Sequence, residues 1–298
     1  MSILSAGEVL WDVFAHRELL GGAPLNFSAM ASRLGHDVTL LTAVGDDDRG
    51  LRALTAIRNL GLSTDCVQTI PSVSSGAAIV TTDSEGNASY RIDRPAAFDG
   101  FQLDEQTLAR LQALPPSWLY FGTLAQAAPG SPALIESLRR RFPGLPCFYD
   151  INLREGHWNF PLVQRLSASA RVLKLNHSEA ELLHRHLHPL CTFSLESFCR
   201  EWAAAHRIAT ICVTLGGEGC AILSEGRFQA FPGFSVKVAD TVGAGDAFAA
   251  ALLHGIIRRW PIEQTARFAN AVGATVASQP GAIPSWDPAR VDELIARS

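Results

Sequence analysis

Asp246 is the residue around which the chemistry of this chain can be argued. It stands in the segment DTVGAGDAF, residues 240–248. A strand expected over 234–238 runs through Asp240 and Thr241 into Gly243-Ala244-Gly245, and a helix is expected to start at about Asp246. Glycines let main chain approach a ligand closely. The free N–H groups of a helix start, and the helix dipole, favour negative charge at the same place. The loop could therefore form an anion hole for a transferring phosphoryl group or an oxyanion. The Asp246 carboxylate would sit beside it, placed to take a proton from an attacking hydroxyl. The same residues also read as a glycine turn whose acidic residue caps a helix.

Three further segments hold residue types with chemical use. In GGAPLNFSA (21–29), Gly21-Gly22 makes a turn, Pro24 suits the first helical position and Asn26 follows one turn in. Two glycines and an amide suit hydrogen bonding to a polyhydroxylated ligand, or simply an ordinary strand-to-helix turn. VTLGGEGCAIL (213–223) reads as two strands around a Gly-Gly-Glu-Gly turn. In KLNHSEAE (174–181), Asn176 ends a strand and Glu179 falls in the first turn of a helix. That carboxylate either complements the helix dipole or holds a metal-bound water near phosphates. His184, His186 and His188 look like a metal cluster. Only His184 and His188 would share a helix face, however, so no metal is expected there. Arg139-Arg140-Arg141 reads as a solvated helix end, and Trp118 and Phe121 as core.

Short apolar strands alternate with helical patterns through most of the chain. Strands are expected at 2–10, 38–44, 117–121, 146–151, 171–175, 209–214, 219–224 and 227–238. Helices are expected near 24–34, 48–60, 104–113, 131–141, 160–168, 178–187, 195–206, 244–258, 262–278 and 287–296, with Gly35 and Gly61 as helix stops. This alternation predicts an α/β fold with a mostly parallel sheet covered on both faces. Residues 73–98 break it. They read as strands at 75–82 and 88–93 around a turn at 84–87. The expectation is a single domain over 1–298 with a small β lid made by about 11–20 and 73–98.

Composition narrows the function classes. The 298 residues carry a net charge of −4, with 47% hydrophobic and 18% charged residues. The chain is too apolar for disorder, and it lacks the basic excess of a nucleic-acid or anionic-membrane binder. Only two lysines occur, Lys174 and Lys237, and neither follows a glycine, so there is no Walker A loop. The six cysteines form no Cys-x-x-Cys pair and read as reduced thiols of a cytoplasmic protein. No signal peptide or membrane span is expected.

Taken in order, the four segments resemble the ribokinase-like (pfkB) family of sugar kinases, over residues 7–285. The resemblance implies a three-layer α/β sandwich with a β lid, and MgATP-dependent phosphorylation of a sugar or nucleoside hydroxyl without a Walker A lysine. It implies that Asp246 is the catalytic base and that Gly243, Ala244 and Gly245 form the anion hole. Asp12, Gly21, Gly22 and Asn26 match positions that hold sugar hydroxyls. Asn176 and Glu179 match an Asn-x-x-Glu pattern serving phosphate and, through water, Mg²⁺. Thr214, Gly216, Gly217 and Gly219 match the strand and turn along ATP, and Asn270 an asparagine near adenine. Asp240, Val242, Val276, Gln279, Gly281 and Ser285 fall on positions that hold a monovalent cation, usually K⁺.

Within the family, GEVLWD, GGAPLNFSA and DINLREGHW (150–158) look most like fructokinases, with Arg154 in reach of sugar or phosphates. Ala23 stands where ribokinases commonly carry a lysine. The resulting expectation is an ATP-dependent fructokinase, possible homodimerisation through the lid, and no nucleic-acid or membrane partner. A 2-keto-3-deoxygluconate, other hexose or nucleoside kinase shares much of the pattern. A sugar-binding regulator without catalysis is the alternative from another class.

Overall fold

The computed structural model describes residues 1–82, 88–128 and 134–297. Its main sheet has nine strands in the order β13-β12-β11-β10-β9-β8-β1-β4-β5. β1 (Ser2–Ala6) pairs parallel with β4 (Asp37–Gly45), and β4 with β5 (Val67–Ile70). β10 (Val172–Asn176) pairs parallel with both β9 (Cys147–Asp150) and β11 (Thr210–Thr214). β12 (Gly219–Ser224) and β13 (Arg227–Pro232) add on antiparallel. Every residue of β8 (Trp118–Gly122) and β9 is buried, as expected of strands covered on both faces. The expected α/β fold with a mostly parallel sheet is the observed one.

The chain divides into two compact units, Met1–Leu119 with Ala125–Leu145, and Tyr120–Leu124 with Pro146–Ser298. The first contains α1 (Ala23–Arg33), α2 (Asp48–Asn59), α3 (Glu105–Ala113) and α4 (Leu134–Arg141). It also contains a second sheet of order β3-β2-β6-β7, made of β3 (Glu18–Gly21), β2 (Leu10–Val13), β6 (Gly76–Thr82) and β7 (Ala88–Ile92). This small sheet is mixed: β2 runs parallel to β6, while the other two pairs are antiparallel. Its strands come from the two segments expected to make the lid. The turn read at 84–87 lies outside the described residues.

The second unit contains α5 (Phe160–Ser167), α6 (His177–Leu187), α7 (Leu195–His206), α8 (Ala244–Arg258), α9 (Ile262–Ala277) and α10 (Pro288–Ala296). Helix starts follow side-chain chemistry. Asp47, Asp104, Asn159, Asn176 and Asp287 each accept a backbone N–H from the first turn that follows. Gly35 and Gly61 end helices in the left-handed region. All six cysteines are free, and Cys191 alone is exposed. Among the described residues, no helix is long and apolar enough to cross a membrane.

Two expectations need correction, and one strand was not expected. The strand read over 2–10 is two strands in different sheets, parted after Ala6 where Gly7 donates its N–H to the Leu41 carbonyl. The strand read over 227–238 stops at Pro232, so no strand leads into the Asp240 loop. There Gly233 turns its N–H to the Glu218 carbonyl, and Ala239 and Asp240 both donate to the Ala277 carbonyl. β5 was missed because it is a four-residue strand at the sheet edge with no buried position.

Candidate active site

In the second unit, α8 spans the expected 244–258 and so starts two residues before Asp246. Gly243 is its N-cap, so Ala244, Gly245 and Asp246 are its first three residues. First-turn amides of a helix have no partner within it, which suits the proposed anion hole, although Ala244 N donates to the Thr241 carbonyl just before the helix at 3.3 Å. Gly243 needs its left-handed φ of 78°. Any Cβ there would also run into the Ala282 carbonyl oxygen. Asp246 is half-buried in this first turn, where a carboxylate is favoured by the dipole.

A lysine stands beside this helix start. Lys174 points from β10, and a methyl group built on Gly245 would lie 3.6 Å from its Nζ. The ammonium donates to both oxygens of Asp150, at 2.9 and 3.0 Å, and the Tyr120 hydroxyl also donates to Asp150, at 3.1 Å. Burial pushes Lys174 towards losing its proton. The Asp150 charge and hydrogen bonds outweigh that, with smaller help from Asp246 and Glu179, and hold its pKa above the ordinary lysine value. No local pattern assigns this residue a role. A Walker lysine follows a glycine, whereas Lys174 reaches the same kind of helix start from a neighbouring strand. Its only sequence signal was its place two residues before Asn176.

Asn176 and Glu179 form a reciprocal cap at the start of α6. Asn176 Oδ1 accepts from Glu179 N, and Glu179 Oε2 from Asn176 N, both at 2.8 Å. Glu179 Oε1 accepts from Leu153 N at 2.7 Å, which ties down the loop after β9. Burial pushes the Glu179 carboxyl up, against the pull of these two amides. Each of its oxygens keeps a lone pair, so the residue fits a water of a hydrated Mg²⁺. Arg154 is exposed in that same loop.

The residues matched to the monovalent cation fall into two hydrogen-bonded groups. Asp240 accepts from Val242 N at 3.0 Å and Gly281 N at 3.1 Å. Gln279 N donates to the Val276 carbonyl, and Ser285 Oγ to Gln279 Oε1 at 3.2 Å. A carboxylate with backbone carbonyls would be the oxygen-only donor set that a hard monovalent cation takes; here the Asp240 carboxylate accepts from two amides. Thr214 ends β11, and Gly216 and Gly217 form a short 3₁₀ turn before Gly219 opens β12. Asn270 is buried in α9, and its amide nitrogen donates to the Pro232 carbonyl at 3.0 Å. It therefore anchors the end of β13.

In the first unit, Gly21 ends β3 close to Asp12 on β2. A Cβ on Gly21 would lie 3.2 Å from Asp12 Oδ2. Gly22 is the N-cap of α1 with φ 111°, and a Cβ there would stand 2.5 Å from the Glu8 carbonyl. Its own carbonyl accepts from Asn26 N at 3.0 Å. Pro24 takes the second helical position rather than the first. Asp12, Gly21, Gly22 and Asn26 thus meet at one sheet-to-helix junction.

The three histidines have separate partners. His184 and His188 rings lie 5.3 Å apart, but His188 is engaged with Glu201 and His186 stacks on Phe160. No metal-binding group of three or more side chains exists among the described residues. Trp118 and Phe121 are core, as expected.

The sequence pattern of the pfkB family of carbohydrate kinases matches residues 3–289. This chain belongs to that family. As a pfkB protein it is an ATP-dependent carbohydrate kinase. It is 28% identical over 311 residues to fructokinase-1 of Zea mays, with 98% of this chain and 93% of that protein covered. Its fold matches fructokinase with bound ATP from Xylella fastidiosa at a TM-score of 0.86 and 22% identity, covering 99% and 98% of the two chains. It also matches a double mutant of Vibrio cholerae fructokinase with fructose, ADP and potassium ion bound, at 0.83 and 23%, covering 99% and 98%. Kinases of a riboside and of a dehydro-deoxygluconate are among the other matches.

Proposed function

We propose that this pfkB kinase is a fructokinase, transferring the γ-phosphoryl group of ATP to a primary hydroxyl of fructose. The observation that carries the assignment of roles is the start of α8. It sets the Asp246 carboxylate directly after three residues whose backbone suits an anion. In this reading Asp246 takes the proton of the sugar hydroxyl. The amides of Gly243, Ala244 and Gly245 meet the charge of the transferring group. Lys174 adds a fixed positive charge beside them. Thr214, Gly216, Gly217 and Gly219 serve ATP, with Asn270 near the adenine. Sugar recognition falls to Asp12, Gly21, Gly22 and Asn26, with Arg154 from the loop after β9.

Glu179 would hold Mg²⁺ through water, and Asp240, Val242, Val276, Gln279, Gly281 and Ser285 would hold K⁺. When bound, these ions neutralise phosphate charge and support the anion-hole loop. Two copies would pair through the small sheet, and the six free thiols suit the cytoplasm. A monomer in light scattering at micromolar concentration would remove the pairing.

Fructose is favoured by the Zea mays relative and by Ala23, which stands where ribokinases commonly carry a lysine. A coupled ADP-release assay against fructose, ribose, 2-keto-3-deoxygluconate and adenosine, with and without K⁺, tests this. Turnover is expected on fructose and rising with K⁺. Activity confined to another sugar would overturn the substrate, and activity on none would overturn the roles assigned to Asp246 and its loop.

A further inference from the structure

The second lysine of the chain also has a place. Lys237 lines a cavity of about 580 Å³ in the second unit. One wall is the irregular stretch 235–239, and the other is formed by the end of α9 and by α10. Arg290 of α10 and Arg297, which caps its end, line it together with one carboxylate, Glu293, which Arg297 meets at 3.4 Å. Three cations against one anion leave a net charge of +2 in a chain whose total is −4. A phosphomonoester carries about −1.5 to −2 at neutral pH, which this surplus neutralises; a single carboxylate would leave it half-compensated. The volume lies within the range of small-molecule sites, roughly 300–1,000 Å³. Val236, Val238 and Leu294 offer apolar contact for the body of such a molecule. Val238 is 58% exposed, an unusual state for a large aliphatic side chain here.

The wall connects directly to the anion-hole loop. Ala239 N and Asp240 N both donate to the Ala277 carbonyl, and Asp240 in turn accepts from Val242 and Gly281. We infer that this groove binds a small phosphomonoester at a site separate from the phosphoryl-transfer residues, and that the bound molecule restrains 235–240. The inference does not depend on which sugar the kinase phosphorylates.

Isothermal titration calorimetry of the full chain, with the nucleotide site filled by Mg²⁺ and a non-hydrolysable ATP analogue, tests it with glucose 6-phosphate as the probe. One binding event is expected, weakened at least tenfold in Arg290→Ala/Arg297→Ala and unchanged in Asp246→Asn. All three substituted groups are on exposed or half-buried residues, and circular dichroism verifies that each variant folds. Hydrogen exchange across 236–240 should slow when the probe binds. No binding, or binding undiminished in the double arginine variant, would overturn the site. Inorganic phosphate binding as tightly as the probe would overturn its assignment to a phosphomonoester.

Discussion

Lys174 Nζ lies 2.9 Å from Asp150 Oδ1, with the two side chains only 8% and 1% exposed. A buried pair of this kind is costly to break from one side, because the remaining charge has no water to turn to. Lys174→Met should therefore lose about 3–5 kcal/mol of stability. Lys174→Met/Asp150→Asn should recover most of it, as read from urea unfolding. Turnover separates structure from catalysis. If Lys174 meets the phosphates, the double variant folds well and still turns over slowly.

Asp246→Asn keeps the shape of the first turn of α8 and removes the proton acceptor. Its kcat should fall by about 10²–10⁴-fold, the usual contribution of a general base. Nucleotide affinity, measured by calorimetry, should stay near that of the unaltered enzyme. Turnover close to normal would remove Asp246 from the role of base.

Gly243→Ala asks two things that the backbone refuses. An alanine in the left-handed region costs about 1–2 kcal/mol, and its methyl group would meet the Ala282 carbonyl. We expect a lower melting temperature and a kcat reduced by about 10²-fold or more, the scale for losing one anion-hole donor. A matched substitution, Gly144→Ala, also has positive φ but meets nothing within 4 Å. It should cost stability only, which differential scanning calorimetry alongside steady-state kinetics would reveal.

Asp47 gives a prediction in pH. Its carboxylate accepts from Gly50 N at 2.7 Å, Ser75 N at 2.8 Å and Ser75 Oγ at 2.6 Å. Burial pushes this carboxyl up, but the Ser75 and Gly50 donors together hold it below its ordinary value of 3.8. The stabilisation is therefore complete above that value and lost as pH falls through the lowered one. Asp47→Asn should cost about 1–3 kcal/mol at pH 7. The gap to the unaltered chain should close as pH drops below 3.8, in urea titrations across pH 2–7.

Much of this architecture is visible in the sequence where local chemistry and tertiary packing agree. α7 and α8 fall on the expected 195–206 and 244–258, because their apolar periodicity coincides with real termini. The Asn176–Glu179 cap could be read from a three-residue spacing alone. The errors arise where a partner far along the chain decides. The apolar stretch 234–238 looks like a strand, yet Pro232 ends the ladder and the Ala277 carbonyl captures the next free amides. The role of Lys174 is hidden for the same reason. Its meaning depends on Asp150 and Gly245, which no local pattern connects to it.

The small sheet carries a consequence for the order of folding. Leu10 pairs with Gly76, and α1, β4, α2 and β5 all lie between them in the chain. Such a pairing closes a long loop, so it gains its hydrogen bonds only after most of that entropy has been spent. Within the first unit, β1 and β4 can dock across a single intervening helix and hairpin, but β2 must wait for β6. The β2–β6 pairing should therefore form late, and its amides should exchange with solvent faster than those of β4.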